Sequence, residues 1–163
     1  MMKHFAAFAL LTATLALPAT AQDAQEIARV QAGESCPDCN LFQADLSYRD
    51  LPDIDVSGAR LRQANLSLAT MDGANFARAN LSIANMFGAR FTGARFVATD
   101  LSRATLVGAY LGSADMTGAN LDGANLSGAN LVTAKGLRQA QLAKACGDRS
   151  TRLPSGLSVP HCQ

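Results

Sequence analysis

The chain has 163 residues, which suits a single domain, and a formal net charge of +1. Its 14 Lys and Arg against 13 Asp and Glu give neither the basic excess of a typical nucleic-acid binder nor the acidic excess that a nucleic-acid mimic needs. Aromatic residues amount to 6% and Trp is absent, which favours a narrow core filled by Leu and Ala.

Residues 1–21 are typical of a secretory signal peptide. Lys3 and His4 precede an apolar run over 5–17, and a small-x-small sequence at 19–21 marks the predicted cleavage site. The run is shorter than the ~20 residues that cross a bilayer, which argues against a membrane anchor. We therefore expect a formally neutral mature chain that begins at Gln22, is exported to the periplasm or extracellular space, and is not inserted in the membrane.

Residues 22–38 are predicted to form an N-terminal cap and its connection. Apolar residues at helical spacing indicate a short helix over 23–33, with Gly33 able to end it. Four cysteines in an exported chain predict disulfides, for which three pairings are possible. Two cysteines lie at each end of the central repeat, which favours the local pairs Cys36 with Cys39 and Cys146 with Cys162 without settling the connectivity.

A five-residue period organises the chain from Leu41 to Leu131. A large apolar residue occupies every fifth position, and a small residue, usually Ala, precedes each of them by two. Neither an α-helix nor a strand keeps such a set on one face, because 3.6 and 2 do not divide five. The set stays inside only where the chain turns a corner every five residues, so that four sides close a square coil of twenty residues. At ~4.8 Å between coils, the predicted rod is roughly 20–25 Å long.

Residues twenty apart should then stack in columns. Phe76 and Phe96 are predicted to share one inner side, with Phe91 on the neighbouring side. Thr99 replaces Ala in its column and should place a satisfied hydroxyl inward. Arg49 and Ile54 also replace small residues, in the first coil.

We interpret the first coil as irregular, because a buried unpaired charge would be costly in the core. Arg49 would leave the barrel there and meet a carboxylate such as Asp50 or Asp53. A ligand site at Arg49 is the alternative.

The sequence 119–131, ANLDGANLSGANL, resembles the A(D/N)LXX pattern of the pentapeptide-repeat family. The resemblance implies an all-β solenoid, a right-handed quadrilateral β-helix, which we place at 39–135. Short capping helices are expected at both ends, because an open coil exposes its core and strand edges. Residues 136–163 would form the C-terminal capping helix, predicted over 137–145, and a tail closed by Cys146 and Cys162, as in some exported members of this family.

Few residues carry recognisable chemistry. Cys36-x-x-Cys39 has the spacing of a redox motif but lies outside any βαβ pattern, so a structural disulfide is favoured. A zinc site using the cysteines or His161 is disfavoured because the cysteine pairs lie at opposite ends of the rod. His161 is the one histidine after signal removal and cannot support a triad. We therefore predict no catalytic residue, no cofactor and no metal.

The outer surface carries the best candidate for an interaction site. The twenty-residue columns predict that Phe87 and Val107 are adjacent, with Tyr48 and Leu68 on the next column and Ile83 near the preceding corner. Such an exposed apolar patch favours a protein partner or a second copy of the chain.

We rank first a non-enzymatic exported scaffold for protein–protein interaction. The alternatives are a thiol–disulfide redox protein using Cys36 and Cys39, and a topoisomerase-binding DNA mimic as in some family members. Export and neutral charge disfavour the mimic.

Overall fold

A computed structural model describes residues 23–163, most of which form a square β-helix, and the predicted signal peptide lies outside these described residues. Parallel single-residue bridges join positions twenty residues apart, as in Asn65 with Asn85 and Asn85 with Thr105. The predicted coil length is therefore confirmed, and the helix is right-handed and quadrilateral. Each side of a coil contributes one such bridge residue, and the described residues contain no strand longer than a single residue.

Each pentapeptide turns one corner. The Ala44 N–H donates to the Leu41 carbonyl at 3.0 Å, which closes a tight turn over the two intervening residues. The second of these has positive φ, as a type II turn requires, and it is Gly in many units. Hydrogen bonds to neighbouring coils then complete the backbone pairing: Leu66 N–H donates forward to Asn85, and Asn85 N–H donates back to Ala64.

In many units the residue before the central one is Asp or Asn, and its side chain accepts hydrogen bonds from the corner that follows. In one unit the Asn65 side-chain oxygen accepts from the Ser67 N–H at 3.1 Å and from the Ser67 hydroxyl at 2.8 Å. The amide groups also stack between coils, since Asn85 donates to Asn65 and Asn65 donates to Asp45. These side chains therefore replace water at the turns and hold the coils in register.

The core is built as the periodicity predicts. Every central residue from Leu41 to Leu131 is buried, and three phenylalanines fill the middle. Phe76 and Phe96 stack one coil apart, while Phe91 meets both rings edge-on at 5.8 Å and 5.4 Å between centroids. The Thr99 hydroxyl donates to the Phe76 carbonyl at 2.7 Å, so the predicted inward hydroxyl is confirmed.

Helix α1, Ala24–Gln31, covers the N-terminal end. The Asp23 side chain accepts from the Gln25 and Glu26 N–H groups as an N-cap, and Val30 is fully buried against the barrel. The Gln31 side chain donates to the Asp45 carbonyl at 2.8 Å. The helix therefore hydrogen-bonds and packs on the first coil.

The first coil departs from the rest at two positions. Ile54 keeps the inward orientation and is buried, whereas Arg49 is exposed and leaves the barrel as predicted. The expected ion pair is wrong, since Arg49 forms no salt bridge with Asp50 or Asp53 within residues 23–163. Its charge instead adds to the lowering of the Asp45 pKa, which hydrogen bonds from Ser47 mainly cause. Asp45 lies one pentapeptide earlier, on the neighbouring side of the coil.

Helix α2, Gln139–Leu142, has four residues and is shorter than the predicted 137–145. The chain resumes coil-like pairing after it, because Cys146 bridges to Asn125 and Arg152 bridges to Asn130. Backbone pairing thus continues past residue 135. The spacing between paired residues is 21 for the first of these bridges and 22 for the second, instead of twenty. Leu142 supplies a buried apolar residue to this last coil.

Candidate interaction surface

Four apolar side chains form one corner of the rod, which we call the apolar corner: Tyr48, Leu68, Phe87 and Val107. Backbone hydrogen bonds set their register, since Leu68 N–H donates to the Phe87 carbonyl at 2.8 Å and Gly88 N–H donates to Val107 at 2.9 Å. Tyr48 is 76% exposed, Phe87 48% and Leu68 44%, whereas Val107 is half-buried. The columns thus bring these four residues together as predicted, and Ile83 is half-buried near the preceding corner.

Leu68 occupies a backbone position that suits glycine better. Its φ is +58°, and the next residue in its column is Gly88, with φ of +61°. A Cβ at Gly88 would come within 2.8 Å of Leu68 Cδ2, so the leucine side chain lies over the glycine beside Phe87. A left-handed conformation costs a non-glycine residue roughly 1–2 kcal/mol. Leu68 therefore contributes exposed apolar surface at a position where its backbone is strained.

The flat side that follows the apolar corner in the chain carries a column of outward residues: Asp50, Thr70, Arg90, Tyr110, Asn130 and Arg152. We call it the Arg90 face. Arg90 pairs with Asp72 at 2.6 Å at the far corner, and its side chain stays 56% exposed. The Tyr110 ring lies over Gly112, where a Cβ would meet the ring at 2.6 Å.

Tyr110 and Val132 are exposed apolar residues that were not predicted from the sequence. Tyr110 and Val132 are each 42% exposed, and Val132 follows Gly112 by twenty residues, one coil further along the rod. Their large apolar side chains at outward repeat positions were the available signal. With the apolar corner, they give the Arg90 face apolar side chains along both edges.

Hydrogen bonding lowers the pKa of several carboxyls on the rod. The Ser47 and Thr117 side chains lower the pKa of Asp45 and Asp115, respectively, with backbone N–H groups adding to the effect. Asp148 is the strongest case: the Ser150 hydroxyl and the Gly128 N–H lower its pKa to about 2. These carboxylates remain ionised and serve as turn acceptors in the structure.

The cysteines form disulfides between Cys36 and Cys39 and between Cys146 and Cys162, with Cα atoms 5.6 Å and 4.7 Å apart. Cys36 precedes Leu41 by five residues and occupies a central repeat position, and Cys39 occupies the small position that follows. They are 1% and 7% exposed, so the first disulfide belongs to the packed end of the core. The second joins the tail to the last coil, where Cys162 Sγ lies 3.4 Å from the Ser127 hydroxyl.

Residues 23–163 contain no cavity and no cluster of His, Cys, Asp or Glu that could hold a metal ion. Neither helix in this range has the length and hydrophobicity of a segment that crosses a bilayer.

A model of pentapeptide repeats matches the chain in eight copies, over residues 39–76, 55–93, 64–103 and 94–132. The chain belongs to the pentapeptide-repeat family. No curated protein matches the chain in sequence at a significant level. The family assignment therefore rests on the repeat and on solved structures.

Two crystal structures of pentapeptide-repeat proteins resemble this one. A protein from the Arabidopsis thaliana thylakoid lumen is 31% identical, with a TM-score of 0.58, over 69% of this chain and 74% of that protein. A protein from Nostoc PCC 7120 is 25% identical, with a TM-score of 0.53, over 84% of this chain and 88% of that protein.

Proposed function

We propose that this pentapeptide-repeat protein is an exported, non-enzymatic scaffold that binds another protein through its apolar corner. The observation that carries the proposal is the adjacency of Tyr48, Leu68 and Phe87, each more than two-fifths exposed on a rod whose other large apolar residues are mostly internal. Exposed aromatic and aliphatic side chains in one patch are typical of protein-binding surfaces.

Three features support export. The predicted signal peptide directs the chain out of the cytoplasm, and disulfides at both ends of the barrel suit an oxidising compartment. The Arabidopsis relative comes from the thylakoid lumen.

The redox alternative requires an accessible sulfur atom. Cys36 and Cys39 lie at inward repeat positions and are almost fully buried, so an incoming thiolate has no direct path to either sulfur.

The DNA-mimic alternative requires carboxylates along the whole rod. Eight of the 13 Asp and Glu instead lie within residues 23–58, and Lys and Arg outnumber acids over the remaining coils. The buried disulfide and the uneven distribution of carboxylates therefore both favour the scaffold function over these alternatives.

Affinity capture tests the proposal. The tagged full-length protein is exported by its own cells, and captured proteins are compared between wild type and two variants. Phe87→Asp places a charge in the apolar corner, while Val97→Asp makes the same change at the equivalent repeat position of the diagonally opposite corner. We expect Phe87→Asp alone to lose the captured protein. Equal capture by both variants, with melting temperatures like wild type, would contradict the proposal.

A further inference from the structure

We infer that the partner of the apolar corner is a second copy of this chain, bound antiparallel through the Arg90 face. This inference rests on the proposed function and adds the identity and orientation of the partner. It is carried by the register of the columns, which makes the face complementary to itself when one rod is inverted.

The Arg90 face has six levels, one for each coil that contributes an outward residue, from Asp50 at the first level to Arg152 at the last. We place a two-fold axis in the plane of the face, perpendicular to the rod, between the third and fourth levels. This axis pairs the first level of one copy with the sixth of the other, the second with the fifth, and the third with the fourth. Asp50 then meets the second copy's Arg152 and forms an ion pair. In addition, Thr70 meets Asn130, and Arg90 meets the exposed Tyr110 ring in a cation–π contact.

The same axis brings the apolar corner of one rod against that of the other. Phe87 lies at the third level and Val107 at the fourth, so each Phe87 packs on the Val107 of the second copy. Tyr48, at the first level, meets the segment around Arg149 at the last. The antiparallel pairing therefore buries the apolar corner of each copy against the other copy.

Charge is distributed along the rod in a way that favours the inverted arrangement. Residues 23–58 contain eight Asp and Glu against two Arg, whereas residues 59–163 contain five acidic residues against eleven Lys and Arg. The formally neutral chain therefore has an acidic N-terminal end and a basic C-terminal part. Antiparallel rods align opposite charges at both ends, which favours association.

A parallel arrangement through the same face is disfavoured. A two-fold axis along the rod would place Asp50 opposite Asp50, Arg90 opposite Arg90 and Arg152 opposite Arg152. It would also bring the apolar corner against the corner that carries Asp53 and Asp72. Like charges would then face each other at three of the six levels, and apolar side chains would lie against carboxylates.

The proposed ion pair between Asp50 and Arg152 of the second copy is supported by the absence of competing partners for these two side chains in the described residues. Asp50 and Arg152 are exposed, and neither side chain has a hydrogen bond or salt bridge to any residue of the described range 23–163. Both therefore remain available for contact with a second rod.

The size of the face sets the expected affinity. Six levels at ~4.8 Å give a length of about 29 Å, and three extended residues across one side give a width of about 10 Å. The resulting area of about 300 Å² is less than half of the ~800 Å² that each partner buries in a standard interface. We expect a weak dimer whose population rises with protein concentration through the micromolar range.

Sedimentation velocity of the full-length oxidised protein, from micromolar to near-millimolar concentration, tests the arrangement by charge reversal. Asp50→Arg and Arg152→Asp should each weaken dimerisation about tenfold, because each change affects two contacts per dimer. The double variant restores opposite charges in the inverted register and should return within about threefold of wild type. Arg103→Asp, on a corner away from the face, is the control for net charge and should leave the dimer unchanged.

Three outcomes overturn the inference: a monomer at every concentration, single reversals without effect, or a double variant no tighter than the singles. A chain that stays monomeric but loses a captured protein with Phe87→Asp would overturn the dimer and leave the proposed function standing. A dimer that tolerates Phe87→Asp while responding to the charge reversals would instead contradict the role of the apolar corner. Circular dichroism verifies that every variant is folded.

Discussion

The ring of Phe96 stacks on that of Phe76, with centroids 5.0 Å apart and ring planes 2° from parallel. Both residues are central members of their pentapeptides and lie one coil apart, so their stacking follows directly from the twenty-residue spacing. Phe91 closes the cluster from the neighbouring side. The middle of the rod therefore depends on a few large rings rather than on leucine alone.

We predict that Phe96→Ala lowers the free energy of unfolding by about 3–5 kcal/mol, since it leaves a cavity beside the Phe76 and Phe91 rings. Urea unfolding followed by circular dichroism measures the change. Phe87→Ala removes the same side chain from the exposed corner and serves as the control, with an expected change of about 0.5 kcal/mol. Similar losses for the two variants would be inconsistent with the packing described above.

Thr99 provides a smaller test of the core. Replacing it with Val removes the hydroxyl that donates to the Phe76 carbonyl but keeps the shape of the side chain. That carbonyl also accepts from the Ala79 N–H at 2.9 Å, so no buried acceptor is left without a partner. We expect a loss of about 1 kcal/mol, and less for Thr99→Ser, which retains the donor. A Val variant as stable as wild type would contradict this role of the hydroxyl.

Leu68→Gly separates surface recognition from stability. The substitution removes exposed apolar area but relieves the positive φ at residue 68, so strain relief offsets the greater backbone entropy of Gly in the unfolded chain. We expect the free energy of unfolding to stay within about 1 kcal/mol of wild type, while binding through the apolar corner weakens. A large loss of stability in thermal unfolding would indicate that Leu68 is a packing residue.

The interior of the rod could be predicted from the sequence because every inward position obeys one spacing rule. Leu, Met and Phe at the central positions and Ala two residues earlier determined the coil, its columns and the Phe cluster. The outward columns followed from the same register, which placed Phe87 beside Val107.

The ends of the rod were harder to predict because the period breaks there. One and then two extra residues after Leu131 hide the last coil, and contacts such as the Gln141 side-chain bonds to Met116 and Ala119 carbonyls have no periodic signature. The direction taken by the Tyr110 ring on the surface depends on Gly112 beneath it, which a column alone does not specify.

Acid should weaken the C-terminal end through Asp148. Its carboxylate accepts from Ser150 and Gly128, which lowers the pKa from 3.8 to about 2. Because the folded pKa lies below the unfolded value, the stabilisation is complete well above pH 3.8 and is lost as the pH falls toward 2. Asp148→Asn should therefore be less stable than wild type near neutral pH, with a difference that shrinks over this acidic range. A difference independent of pH in thermal unfolding would show that ionisation of Asp148 does not contribute.

We propose that the apolar corner contacts protein while the opposite corner does not. Site-specific photo-crosslinking distinguishes the two corners: a photoreactive side chain replaces Phe87 or Val97 in the full-length protein, which is irradiated in the cells that export it. We predict a covalent protein adduct from position 87, either with a second copy of the chain or with another protein, and none from position 97. Equal yields from the two positions, or an adduct from position 97 alone, would show that the apolar corner is not the surface that contacts protein.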